Sequence, residues 1–181
     1  AFEAVQATLT NQPTFQNGSG DTQNGHPMLR WDGNDILTTL GNVTLGPLSV
    51  FVVYNATEEG YIYVHSPNVN VNNGSYIYTE TGASYSVRRS GAEGFEDLTT
   101  GWGQVATTRV LTHQYNGTVA THSLFLNGVL QVPGTTGPNE PGIVSASDVF
   151  SIGGRSADGV LRITGNFAEV IAYNDYLNEA Q

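Results

Sequence analysis

Apolar residues in this chain come in runs of about four to eight, each cut off by Gly, Asn, Pro, Ser or Thr, and only rarely at helical spacing. That punctuation selects strands. Ser49-Val50-Phe51-Val52-Val53-Tyr54 is nearly continuous in apolar side chains and stops at Asn55, the pattern of a central strand covered on both faces. Tyr61 to His65 and Ser75 to Thr79 flank a turn-rich segment, Pro67 to Gly74, and read as neighbours, with Tyr85 to Arg88 continuing the meander. Ser90 to Gly103 reads as a loop. Thr107 to Tyr115 is a strand stopped by Asn116-Gly117. His122 to Leu126, Asn127-Gly128 and Val129 to Val132 together give the strongest hairpin signal, because an Asn-Gly pair readily takes the positive φ of a tight turn. Val149 to Gly153 and Phe167 to Tyr173 close the set, and only Asp175 to Gln181 carries helical spacing. Around a dozen short strands with almost no helix predict an all-β fold: a two-sheet antiparallel β-sandwich with minimal helix, its core supplied by alternate residues.

Composition narrows the function. At 181 residues with no internal repeat and no linker, the chain is expected to be a single domain over 1–181, large enough to bury a core without crosslinks. Its beginning at Ala1-Phe2-Glu3 suggests a segment of a larger protein. Six cations, all Arg, stand against 16 acids for a net charge of -10, which cannot build the positive groove that nucleic acid requires. With no Lys, Schiff-base catalysis and the phosphate-cradling Gly-x-x-x-x-Gly-Lys loop are excluded, and with no Cys so are thiol catalysis, disulfides and Cys-rich metal sites. No apolar stretch is long enough for a helix to insert in a membrane.

Three segments carry a resemblance. Asn11-Gln12-Pro13-Thr14-Phe15 is followed by Asn24-Gly25-His26-Pro27-Met28-Leu29-Arg30-Trp31-Asp32-Gly33-Asn34-Asp35-Ile36-Leu37. Leu126-Asn127-Gly128-Val129-Leu130 forms the second. Ile152-Gly153-Gly154-Arg155, with Gly165 to Asn174, forms the third. In this order they resemble the concanavalin A-like jelly roll, and more narrowly the laminin G-like domains of bacterial, archaeal and phage surface proteins. The resemblance implies a jelly roll, places Trp31 in the core, and implies a recognition or adhesion module located extracellularly or on a virion surface.

Candidate chemistry is sparse. Retaining glycoside hydrolysis needs two carboxyls roughly 5–5.5 Å apart, and the resembling glucanases place acids along one strand as Glu-x-Asp-x-x-Glu, a run missing here. Glu58-Glu59 and Glu96-Asp97 are adjacent and on a strand would face opposite ways, and Glu93 and Glu96 fall in the expected loop. No Gly-x-Ser-x-Gly elbow supports Ser-His-Asp catalysis. The four His residues, His26, His65, His113 and His122, lack metal-ligand spacing, although His113 and His122 flank one turn and are placed to face each other across strands. Asp32, Asn34 and Asp35 offer hard oxygens that suit calcium, the one cofactor considered, and equally suit a turn whose side chains satisfy its own amides; the turn is favoured. Trp102, between Gly101 and Gly103, either stacks on a sugar or partner or caps the core edge. Tyr61, Tyr63, Tyr76, Tyr78 and Tyr85 alternate along neighbouring strands and, with Arg88, form either a contact face or an ordinary sheet surface. Five Asn-x-Ser/Thr sequons, at Asn17, Asn42, Asn55, Asn73 and Asn116, barely exceed chance.

The expectation is therefore a non-catalytic module whose partners are glycans or surface proteins, with Trp102, Tyr61, Tyr63, Tyr85 and Arg88 as contact residues. The alternatives are an architectural decoration, fibre or filament subunit that associates with itself as a homo-oligomer or with virion proteins, and a glucanase-like hydrolase with dispersed acids.

Overall fold

A computed structural model of the protein describes residues 4–18, 22–23, 25–45, 47–65, 75–80, 84–91, 94–100, 105–115, 122–132, 146–154 and 161–177. In chain order the strands are β1 (Ala4–Val5), β2 (Thr14–Gln16), β3 (Thr22–Gln23), β4 (His26–Asp32), β5 (Leu37–Thr39), β6 (Val43–Leu45), β7 (Leu48–Ala56), β8 (Gly60–His65) and β9 (Ser75–Glu80). They continue with β10 (Ser84–Gly91), β11 (Gly94–Thr100), β12 (Val105–Tyr115), β13 (His122–Leu126), β14 (Val129–Val132), β15 (Ala146–Asp148), β16 (Phe150–Ile152) and β17 (Thr164–Tyr173). The helical content among the described residues is a single 3₁₀ turn, Leu9–Asn11.

Two antiparallel sheets form the sandwich. One has seven strands in the order β1-β5-β16-β8-β9-β10-β11; the other has eight, β14-β13-β12-β7-β17-β4-β2 with β3 paired to β4. A small two-stranded sheet, β6 with β15, supplies Val43 to the core. The expected all-β jelly-roll sandwich is what the chain adopts, and the Asn127-Gly128 hairpin is confirmed in detail, with φ of 50° and 78° at its two central residues.

Burial along β7 shows how the eight-stranded sheet is seated. Leu48, Val50, Val52, Tyr54 and Ala56 are buried against the opposite sheet, while Phe51, Val53 and Asn55 on the other face are only half-buried. The apolar run therefore does not mean cover on both faces. Its outer half is shielded instead by neighbouring strands, with the Tyr173 ring meeting Phe51 edge-on at 6.1 Å.

The core is joined across the sheets at Trp31. From β4 its ring packs on Phe167 of β17 at 4.5 Å, and Phe167 packs on Tyr54 of β7 at 5.8 Å. On the other sheet, the turn after β16 places Gly153, φ 82°, flat against the indole, where a Cβ would lie 2.0 Å from Nε1. A segment just before β17 stitches the two sheets together: Tyr61 N–H donates to Leu161 O at 2.9 Å and Ile163 N–H to Gly153 O at 2.9 Å.

Several expectations are corrected here. The predicted Ser90–Gly103 loop contains a strand, β11, whose register with β10 sets Arg88 opposite Asp97 and Arg89 opposite Glu96. With Phe95 and Leu98 as its apolar residues, this edge strand shows no period-2 signal. Asp175 to Leu177 is not helical, and the remainder of that segment lies outside the described residues. His113 and His122 are offset by two residue pairs, since His122 sits opposite Tyr115 and His113 opposite Leu124.

Replacing Gly153 with Ala is expected to destabilise the fold by about 3 kcal/mol, because the added methyl meets a buried ring and the backbone is in the left-handed region. Urea unfolding followed by circular dichroism measures this, with Gly41→Ala, at an open position, as the mild control.

Candidate functional site

A β-bulge decides the fate of two predicted contact residues. Between Tyr61↔Tyr78 and Tyr63↔Ile77 the register of β8 and β9 skips Ile62, so Ile62 and Tyr63 both belong to the main core while Tyr61 and Val64 pack with Tyr76 and Tyr78 in a second cluster. Tyr61 is 5% and Tyr63 0% exposed. Neither is available to a ligand, which corrects their expected place on a contact face. The Tyr63 hydroxyl hydrogen-bonds His113 Nδ1 at 2.5 Å across the sandwich, and His65 Nε2 bonds the Val43 carbonyl at 2.7 Å, so both imidazoles are core groups. Tyr85 and Arg88 lie on β10, but their side chains fall outside the described residues, as does Trp102 entirely.

At the candidate calcium turn one oxygen of each aspartate is engaged by a turn amide. Asp32 Oδ1 accepts the Asn34 N–H at 3.0 Å, buried Asp35 accepts the Asp32 N–H at 2.8 Å through Oδ2, and the Arg162 guanidinium donates to the Asn34 carbonyl. Burial pushes the Asp35 carboxyl above the ordinary aspartate range and the neighbouring Asp32 carboxylate adds to the rise, while the Asp32 N–H and Arg162 draw it back. Among the described residues no three His, Asp or Glu side chains cluster as metal ligands.

The outer face of the eight-stranded sheet carries exposed Tyr173, Val110, Glu169, Arg30 and Thr14 among half-buried neighbours, with Ser49 and Thr112 buried. Strand pairing sets them in rows across the sheet. One row runs Phe125, Thr112, Phe51, Ile171; beside it run Ser123, Gln114, Ser49, Tyr173 on one flank and Val110, Val53, Glu169 on the other. Tyr173 is 44% exposed, and its phenol makes no hydrogen bond among the described residues. The next row is polar: Asn55, Asn166, Arg30 and Thr14. Its amides are held in register, since Asn55 Oδ1 accepts both the backbone N–H and Nδ2 of Asn166 at 3.1 Å. The end of the chain described here closes one margin, where Gln114 Nε2 donates to the Leu177 carbonyl and the Leu177 N–H donates to Ser49 Oγ. An aromatic platform bordered by amides and an arginine is thus carried on a rigid sheet. Sequence reading missed it because Phe51 and Tyr173 sit in runs that look like core; the alternation of Phe51, Val53 and Asn55 was the available signal.

A second feature is a wedge between β4 and β17. Pairing stops at Phe167↔Leu29, and Glu169 to Tyr173 has no strand partner on that side among the described residues. Pro27, which has no N–H to donate, lies where the ladder would continue. Clefts of about 450 and 520 Å³ open along this edge and meet at Ile152 and Val170.

No family model matches the chain, and no curated protein matches it. Solved structures share its fold. Domain 4 of AbnA, an extracellular GH43 arabinanase from Geobacillus stearothermophilus, in complex with arabinotriose, superposes with a TM-score of 0.67 at 16% identity, over 94% of this chain and 79% of that one. The CBM40 of a Ruminococcus gnavus IT-sialidase, bound to α2,3-sialyllactose, gives 0.60 at 15% identity, over 75% of this chain and 80% of that one. A heptameric SAP-like pentraxin from Limulus polyphemus gives 0.57 at 12% identity, over 87% and 74%. Among the described residues no helix is long and apolar enough to cross a membrane.

Asp35 supplies a pH test. Because its folded carboxyl titrates above the unfolded one, its stabilising contribution is complete below the ordinary aspartate range and is lost as pH rises through the raised value. Asp35→Asn, which keeps an acceptor for the Asp32 N–H, is expected to gain stability relative to the parent between pH 3 and pH 7. Urea midpoints of both proteins at the two pH values measure it, and a difference that does not change with pH would contradict the assignment.

Proposed function

We propose that the chain is a non-catalytic glycan-binding module whose contact surface is the outer face of the eight-stranded sheet. The observation that carries this reading is the Phe51–Tyr173 pair, a half-buried ring met edge-on by an exposed one on the outer sheet face, with ordered amides two rows from Phe51 and three from Tyr173. Apolar C–H faces of a sugar ring stack on such rings, and its hydroxyls need neighbouring donors and acceptors fixed in place. Carbohydrate ligands bound to domains of the same fold support it. The extracellular or virion-surface setting and laminin G-like kinship follow from the sequence resemblance and belong to the same proposal. The Asp32–Asp35 turn acts in it as a structural element rather than a calcium site.

The test is a glycan array followed by calorimetry on each hit. Phe51→Ala and Tyr173→Ala are each expected to weaken binding about tenfold, on the order of 1.4 kcal/mol, with the circular dichroism spectrum unchanged. Retained affinity in both variants would move the site elsewhere.

A second reading, self-association, draws on the edge Glu169 to Tyr173, which has no strand partner on one side among the described residues and lies beside an apolar cleft. It expects mass to rise with concentration in light scattering coupled to size exclusion, and a strict monomer throughout would remove it.

A further inference from the structure

The polar row, two rows from Phe51, ends in a cavity of about 230 Å³, lined by Gln16, Met28, Arg30, Thr57, Thr164 and Asn166 among others. Its composition is lopsided. The Arg30 guanidinium is exposed and makes no hydrogen bond or ion pair among the described residues. No acid lines the cavity among those residues, in a chain where acids outnumber cations 16 to 6. Glu58, the nearest acid along the chain to Thr57, borders the cavity, its carboxylate held by the hydroxyl of the lining residue Thr164 at 2.7 Å. Glu169 stands one row away, opposite Val53. Asp32, which follows on the same strand as Arg30, is occupied by the Asn34 amide.

We propose that this cavity is a carboxylate subsite, so that the module selects glycans bearing an acidic sugar. The inference rests on the glycan-binding reading above and adds the charge of the ligand to it. A planar guanidinium with free N–H groups matches the two oxygens of a carboxylate, and in a small, partly enclosed space that pairing is stronger than on an open surface. Asn166 is already aligned by Asn55, which leaves its own carbonyl oxygen to accept from a hydroxyl. Gln16 supplies a further amide with no partner among the described residues, and Met28 offers an apolar wall. Four residues of strand, about 13 Å, and two strand spacings, about 10 Å, separate Phe51 from Arg30, about 16 Å in all, so an oligosaccharide of about three to four sugars reaches from the aromatic platform to Arg30.

The experiment compares glucuronate- and neuraminate-terminated oligosaccharides with their carboxyl-reduced counterparts, on the parent protein, Arg30→Gln, Arg30→Lys and Phe51→Ala. The expected result is at least tenfold tighter binding of the carboxylated member of a pair, reduced to the level of its neutral counterpart in Arg30→Gln and partly retained in Arg30→Lys. The preference should also shrink as salt is raised. Because Arg30 is exposed, the variant's thermal midpoint is expected to match the parent's. Binding that is lost in Phe51→Ala yet indifferent to the carboxyl and to Arg30→Gln would overturn the subsite and leave the platform standing. Absence of binding to every oligosaccharide would overturn both.

Discussion

The contact between the Trp31 indole and the bare backbone of Gly153 sets the distance between the two sheets. A ring that large can lie between layers only where the facing chain has no side chain, and the left-handed turn after β16 provides that place. Everything stacked behind Trp31 follows from it. Phe167 and Tyr54 carry the contact from β4 to the central strand β7, and the outer faces of β17 and β7 hold the aromatic platform because their inner faces are pinned. The platform is therefore precise for a reason that lies on the opposite side of its own sheet.

Irregularities in the ladders do as much as the ladders. The bulge at Ile62 turns Tyr63 inward and lets its hydroxyl reach His113, giving the core one polar tie between sheets. The bulge after Phe167 resets β17 so that Glu169, Ile171 and Tyr173 emerge on the outer face. Had the strand stayed regular, the side chains from position 169 onward would have swapped faces, and Tyr173 would have pointed into the core.

The fold was legible because its signals are local: Asn127-Gly128 encodes its own turn, and short apolar runs between glycines encode strands whatever their order. Trp31 was placed in the core correctly. Tyr61 and Tyr63 were misplaced because period-2 reasoning assumes an unbroken ladder, and a single inserted residue reverses it. β11 was unreadable because an edge strand with a partner on one side need not alternate. The polar row Asn55, Asn166, Arg30, Thr14 draws on four strands far apart in the chain, and only pairing registers, which no local pattern records, bring it together.

The buried indole has one further property. Its N–H finds no acceptor among the described residues, and it is shielded by the very turn that holds the ring. A proton enclosed in this way exchanges with solvent only when the layers part. The molecule thus carries a resident gauge of its own breathing, readable by deuterium uptake at a single nitrogen.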